Sequence, residues 1–204
     1  MIIERLAARR RPRLLTLLGR IAFRVGLLAA ILIAIVIAYV GVTAMTGNFH
    51  TVAEGEVYRS AQPTPAALKR YVREHGIKTV INLRGENLSD GWYQDEVATS
   101  RRLGLRHIDF RMSAKRGITR REAWRLIQIM QRAPKPILIH CESGADRTGL
   151  ASALYVAGIQ HRGEDAAEDQ LSLRYGHIAA PFGKGWGMTV TFEAMEPSLG
   201  FTGS

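Results

Sequence analysis

Two kinds of hydrophobic pattern divide this chain. Residues 25–45 form an uninterrupted run of 21 uncharged positions, with no polar stripe at helical spacing. As a helix that run is ~31 Å long, about one hydrocarbon core of a bilayer, whereas a soluble helix of such length shows a polar face. Beyond Phe49 short apolar runs alternate with amphipathic ones. Residues 56–60 read as a strand that ends at Gln62-Pro63. Thr64 is an N-cap with Pro65 at N1, opening a helix to about residue 75, where Gly76 stops it. Residues 77–83 are a β-branched strand, 90–103 a helix closed by Gly104, and 105–110 another strand. Thr119 and Glu122 form a capping box for a helix that runs to about residue 132. Residues 136–140 are a buried strand, followed by a tight loop, a buried helix to about 161 and a last helical stretch over 164–175. Alternating strands and helices predict an α/β fold with a mostly parallel sheet.

Charge adds an orientation. Residues 1–24 hold seven arginines (Arg5, Arg9, Arg10, Arg11, Arg13, Arg20 and Arg24) against Glu4, a local charge of +6. Of the net +10, only +4 belongs to the rest. The basic balance is thus a property of the head, and no nucleic-acid-reading motif accompanies it, so nucleic acid is not an expected partner. Residues 48–56 contain no Lys or Arg. The positive-inside rule then places the N-terminus in the cytoplasm and everything after the run outside it. The organisation expected is a basic cytoplasmic segment over 1–24, a transmembrane signal-anchor helix over 25–45 and a folded domain over 49–204. That is a single-pass inner-membrane protein with a periplasmic domain. A cleavable signal peptide is the alternative, with 42–44 (Val-Thr-Ala) as a small-residue site, although secretory h-regions run only ~7–15 residues.

The chemistry concentrates where strand 136–140 meets its helix. Between His140 and Gly149 stand Cys141, Glu142, Ser143, Gly144, Ala145, Asp146, Arg147 and Thr148. A loop at a helix N-terminus gathers unpaired N–H groups that point at one spot, with the helix dipole behind them. Such a cradle holds a tetrahedral anion and favours a thiolate at Cys141. Arg147 closes the loop and can bind two phosphate oxygens in fork geometry. A lone cysteine is more often a small buried hydrophobe, but that reading leaves Arg147 and the loop glycine unexplained. The series His140-Cys141-x5-Arg147-Thr148-Gly149 resembles the signature of the cysteine-based protein tyrosine phosphatases, in their small dual-specificity branch. The stretches 58–63 (Tyr-Arg-Ser-Ala-Gln-Pro) and 79–84 (Thr-Val-Ile-Asn-Leu-Arg) fall in the order of the bacterial members, and the likeness covers most of 49–176.

The resemblance implies a central sheet of four or five strands flanked by helices, and no cofactor or metal. The six histidines have no ligand-like spacing either. It implies that Cys141 attacks phosphorus and that the N–H groups of residues 142–147, with Arg147, hold the phosphoryl oxygens. His140 would hold the loop, and the Thr148 hydroxyl would ease breakdown of the phosphocysteine. The family's general acid is an aspartate roughly 30 residues before the cysteine, which selects Asp109. The alternative is that Asp109 is a strand-end residue paired with Arg111 or Arg106. Asp146, next to Arg147, is the second candidate acid.

The expected partners are a phosphorylated substrate and a membrane. No aromatic-walled recognition loop for phosphotyrosine is found, while Arg84, Arg111, Lys115 and Arg116 follow strand ends on the ligand-binding side of the sheet. With the domain outside the cytoplasm, an envelope lipid or glycolipid phosphate is favoured over a phosphoprotein. A phosphotyrosine phosphatase in signalling and a catalytically silent phosphate-binding module stay open. Sulfurtransferases and arsenate reductases also place a cysteine in an anion loop, but the five-residue gap and the Thr148-Gly149 ending favour the phosphatase.

Overall fold

The computed structural model describes residues 2–113, 115–181 and 183–201. It divides into two units, one ending at Met45 and one beginning at Thr46. In the first unit a helix, α1, covers Ile2–Thr46, so the basic head and the apolar run form one helix. Its stretch Gly19–Thr43 is long and apolar enough to cross a membrane.

The second unit is an α/β domain around a five-stranded sheet. In chain order the elements are β1 (His50–Ala53), β2 (Val57–Ser60), α2 (Pro65–His75), β3 (Thr79–Asn82), α3 (Gly91–Arg102), β4 (Arg106–Asp109), α4 (Arg120–Arg132), β5 (Ile137–His140), α5 (Asp146–Gly158) and α6 (Glu164–Glu168). Two 3-10 turns over Asp169–Leu171 and Leu173–Tyr175 follow, then α7 (Trp186–Leu199). The sheet order is β1-β2-β5-β3-β4, antiparallel only between β1 and β2. β2, β3 and β5 are buried at every position, as parallel strands covered on both faces must be. Alternate side chains go to opposite faces. Ile81, Ile137 and Ile139 join Leu126, Leu154 and Phe192 in one core, and Tyr58, Val80 and Leu138 join Leu68 and Tyr71 in the other.

The expected sheet, flanking helices and caps are present, except that the helical stretch expected over 164–175 is the short α6 followed by the two 3-10 turns. Thr64 accepts from the Ala67 N–H, and Thr119 and Glu122 form the capping box. Two elements were not expected, the edge strand β1 and the helix α7. One register row matters for function: Ser60, His140, Asn82 and Asp109 lie side by side on β2, β5, β3 and β4. Neighbouring strands stand about 4.8 Å apart, so this row ties the strand ends into one edge.

Candidate active site

The row opens onto the loop between β5 and α5. Cys141 follows β5 directly and is 1% exposed. Six residues later Arg147 is also nearly buried, and Thr148 is fully so. Gly144 adopts φ +75°, and a Cβ there would stand 2.6 Å from Ala61 N and 2.7 Å from Ser60 C. Only glycine lets the loop close down on the end of β2.

The loop's carbonyls are tied outward. The Cys141 carbonyl lies 3.3 Å from His140 Nδ1, and the Glu142 carbonyl accepts from the Gln62 N–H at 3.1 Å. Asn48 Nδ2 donates to the Ser143 carbonyl at 2.9 Å. Arg59 Nη2 donates to the carbonyls of Gly144 at 3.0 Å and Ala145 at 3.3 Å. In a trans peptide the N–H points opposite to the C=O. Fixing these five carbonyls outward turns the N–H groups that follow them to the other side of the loop, where that of Ala145 donates to Ser143 Oγ at 3.4 Å. The Gly144 N–H shows the result: it donates to Cys141 Sγ at 3.3 Å. One backbone donor thus already serves the sulfur, and a loop of successive N–H groups at a helix start is suited to an anion.

Arg59 is the main support from below. It is fully buried, its Nη1 donates to Gln170 at 2.8 and 3.1 Å, and its guanidinium lies 3.8 Å over the Tyr175 ring. Burial pulls its pKa down to about 10, still far above neutrality, so the loop rests on a fixed cation. His140 is held from the other side. Its Nε2 lies 3.1 Å from Glu96 Oε2, an ion-pair contact whose angle misses a hydrogen bond. The Thr148 hydroxyl is buried with no hydrogen-bond partner among the described residues, which leaves it uncommitted beside the loop.

The two candidate acids are held differently. Asp109 meets neither Arg106 nor Arg111. Its Oδ1 accepts from Asn82 Nδ2 at 2.8 Å, and its Oδ2 accepts from Tyr93 Oη at 2.6 Å. Asp146, at the first position of α5, accepts from His177 Nδ1 at 2.7 Å through Oδ1, and His177 Nε2 lies 2.9 Å from Thr189 Oγ1 on α7. Among the described residues, Asp146 Oδ2 has no hydrogen-bond partner. A Cβ on Gly185 would stand 2.6 Å from Asp146 Oδ1 and 2.8 Å from His177 Cε1, so the segment leading into α7 lies against this pair.

Of the rim cations, Arg84 stacks 3.6 Å over Trp92 and donates to Gln62 Oε1 at 2.9 Å. Arg111 donates to the Glu86 carbonyl, while Lys115 and Arg116 are exposed. Sequence reasoning missed Arg59, Gln62, Asn48, Glu96 and His177. For two of them a signal existed. Arg59 interrupts a strand whose neighbours are all buried, and Glu96 falls on the stripe Tyr93, Glu96, Thr99, Ser100 that α3 buries.

Comparison with known proteins puts this arrangement in context. The model of a family described as DSP-PTPase phosphatase fused to NAD+ kinase matches residues 34–177. No curated protein matches the sequence. Among solved structures, a cysteine-to-serine variant of P. aeruginosa TpbA in complex with pTyr is 19% identical with a TM-score of 0.57, over 76% of this chain and 91% of that one. The core catalytic domain of the PP-IP phosphatase Siw14 from S. cerevisiae is 20% identical at a TM-score of 0.56, over 74% and 91%. PTPMT1 is 15% identical at 0.56, over 74% and 98%. These likenesses show a shared fold, and with more than half of the sequence matched by the family's model, the chain belongs to the cysteine-based, dual-specificity-like phosphatases, in the family described as DSP-PTPase phosphatase fused to NAD+ kinase.

Proposed function

We propose that this protein is a membrane-anchored phosphatase that hydrolyses phosphate monoesters through a phosphocysteine. The observation that carries this reading is the Gly144 N–H donating to Cys141 Sγ inside a loop whose carbonyls are tied outward. In the first step the Cys141 thiolate attacks phosphorus in line, a P–S bond forms and the P–O bond to the leaving group breaks. The leaving oxygen takes a proton from a carboxylic acid. In the second step water attacks phosphorus, the P–S bond breaks, the water proton returns to the carboxylate and phosphate leaves. The loop N–H groups and Arg147 hold the three equatorial oxygens throughout.

For the acid, the geometry favours Asp146. Both oxygens of Asp109 already accept hydrogen bonds, whereas Asp146 keeps one oxygen without a hydrogen-bond partner among the described residues and so able to face a leaving group. Asp146→Asn is expected to lower the rate about 10²–10⁴-fold on alkyl phosphates, whose leaving oxygen needs the proton, and far less on an activated aryl phosphate. Should Asp109→Asn give that pattern and Asp146→Asn not, the acid is Asp109.

The apolar stretch of α1 and the seven arginines before residue 25 support an anchor with its N-terminus in the cytoplasm. An extracytoplasmic site would meet envelope lipid and glycolipid phosphates rather than phosphoproteins, and the rim cations suit such anionic substrates. C-terminal fusions test the topology: alkaline phosphatase should be active, and a fluorescent protein that matures only in the cytoplasm should stay dark. The reverse pattern would return phosphoproteins to first place. Substrate is tested with the full chain in detergent against lipid phosphates, a phosphotyrosine peptide, inositol pyrophosphates and NADP+. The last three follow the pTyr bound to TpbA, the description of Siw14 and the kinase fusion in the family's description. Preferred turnover of lipid phosphates is the expected result, and a preference for the peptide overturns the envelope reading.

A further inference from the structure

A line of ionisable groups runs from the edge strand to the nucleophile. Glu96 is 2% exposed, on the buried face of α3. Its Oε1 lies 2.8 Å from His107 Nε2, and its Oε2 lies 3.1 Å from His140 Nε2. Gln62 Nε2 donates to the same Oε2 at 2.5 Å. The second nitrogen of each ring also faces oxygen. His140 Nδ1 is 3.3 Å from the Cys141 carbonyl, and His107 Nδ1 is 3.7 Å from Asp109 Oδ2.

These contacts bear on where the ring protons sit. A carbonyl oxygen has no proton to give, so His140 Nδ1 carries the hydrogen between them. Nε2 faces a carboxylate, which favours a hydrogen there too. With both nitrogens protonated the ring is a cation. His107 likewise lies between two carboxylates, Glu96 and Asp109. Burial alone would make Glu96 harder to ionise, but the two imidazoles outweigh it and hold its carboxyl at about 2, so it is anionic throughout the neutral range.

We propose that Glu96 is a positioning residue for the nucleophile: it holds His140 doubly protonated beneath the loop, and that cation keeps Cys141 ionised. Arg59 from β2 also acts electrostatically on Cys141, and Arg147 from α5 stands 4.0 Å from Glu142. The proposal deepens the phosphatase reading but needs no substrate to be tested.

Cys141 is the one cysteine of the chain, so alkylation by iodoacetamide reports its thiolate directly. In Glu96→Gln, which keeps the side-chain shape, alkylation near pH 6 should fall about tenfold or more and converge with the parent above about pH 9. His107→Gln should give a smaller fall in the same direction. If His140 keeps its charge without Glu96, loss of the nearby anion would instead leave alkylation unchanged or speed it up, and that result overturns the proposal. Nitrogen-15 NMR of the histidine rings in the unaltered protein is an independent test that requires no variant. Two protonated nitrogens on His140 near pH 7.5 are expected, and a single neutral tautomer overturns the proposal. Both readouts stand even if no phosphate ester is turned over, which separates this inference from the proposed activity.

Discussion

Cys141→Ser is expected to reduce turnover on the order of 10⁵–10⁶-fold, the scale seen when a covalent nucleophile is removed. A serine hydroxyl at this position stays protonated, because nothing beside it is built to take its proton. The cradle favours an anion that is already formed, and only a thiol forms one readily near neutrality. The domain should stay folded. Serine is smaller than cysteine by little, and the ties that shape the loop come from Asn48, Arg59 and Gln62, none of which bonds to the sulfur. The Gly144 N–H, which donates to the sulfur, can donate to the serine oxygen in its place. Such a variant should therefore still bind phosphate or vanadate with near-parental affinity. Both properties are checked by an aryl phosphate assay beside a vanadate titration. Substantial residual turnover would exclude sulfur as the nucleophile.

Arg147→Lys is expected to lower the rate by about 10²–10³-fold, the typical loss when one preorganised oxyanion donor is removed. Charge is conserved in this change, so the loss reports geometry. A guanidinium presents two parallel donors to two phosphoryl oxygens, and an ammonium presents one point charge. Arg147 is available for that role. Among the described residues its one ionic neighbour is Glu142 at 4.0 Å, and the Glu142 side chain is 74% exposed. By contrast Arg59 spends its donors on Gln170, Gly144 and Ala145 and serves the scaffold. Kinetics on an aryl phosphate check the prediction, and near-parental turnover of Arg147→Lys would assign Arg147 a structural role.

The sheet and most helices were legible because their signals are local. Apolar runs over 77–83 and 136–140 mark buried strands, and Thr64, Pro65, Gly76, Thr119 and Glu122 act within one helical turn. β1 escaped because its first two residues, His50 and Thr51, are polar and partly exposed on a sheet edge. α7 escaped because Gly185 and Gly187 stand at its start, Pro197 lies inside it and Thr189, Val190 and Thr191 are poor helix formers. Tertiary packing of Met188, Phe192 and Met195 overrides those preferences. The loop itself was readable as a motif, because its chemistry needs fixed offsets from Cys141. Its supports were not. Asn48 reaches Ser143 across 95 positions and Arg59 reaches Gly144 across 85, and no local pattern encodes contacts of that span. His177 likewise meets Asp146 only because the chain returns after α6.

The covalent intermediate is the central claim. Acid quench of the full chain within the first turnover of an aryl phosphate, followed by mass spectrometry of the Cys141 peptide, tests it directly. One added phosphoryl group on Cys141, absent in Cys141→Ser, is the predicted result. Steady turnover with Cys141 unmodified at every quench time, under conditions that preserve thiophosphate esters, would contradict it.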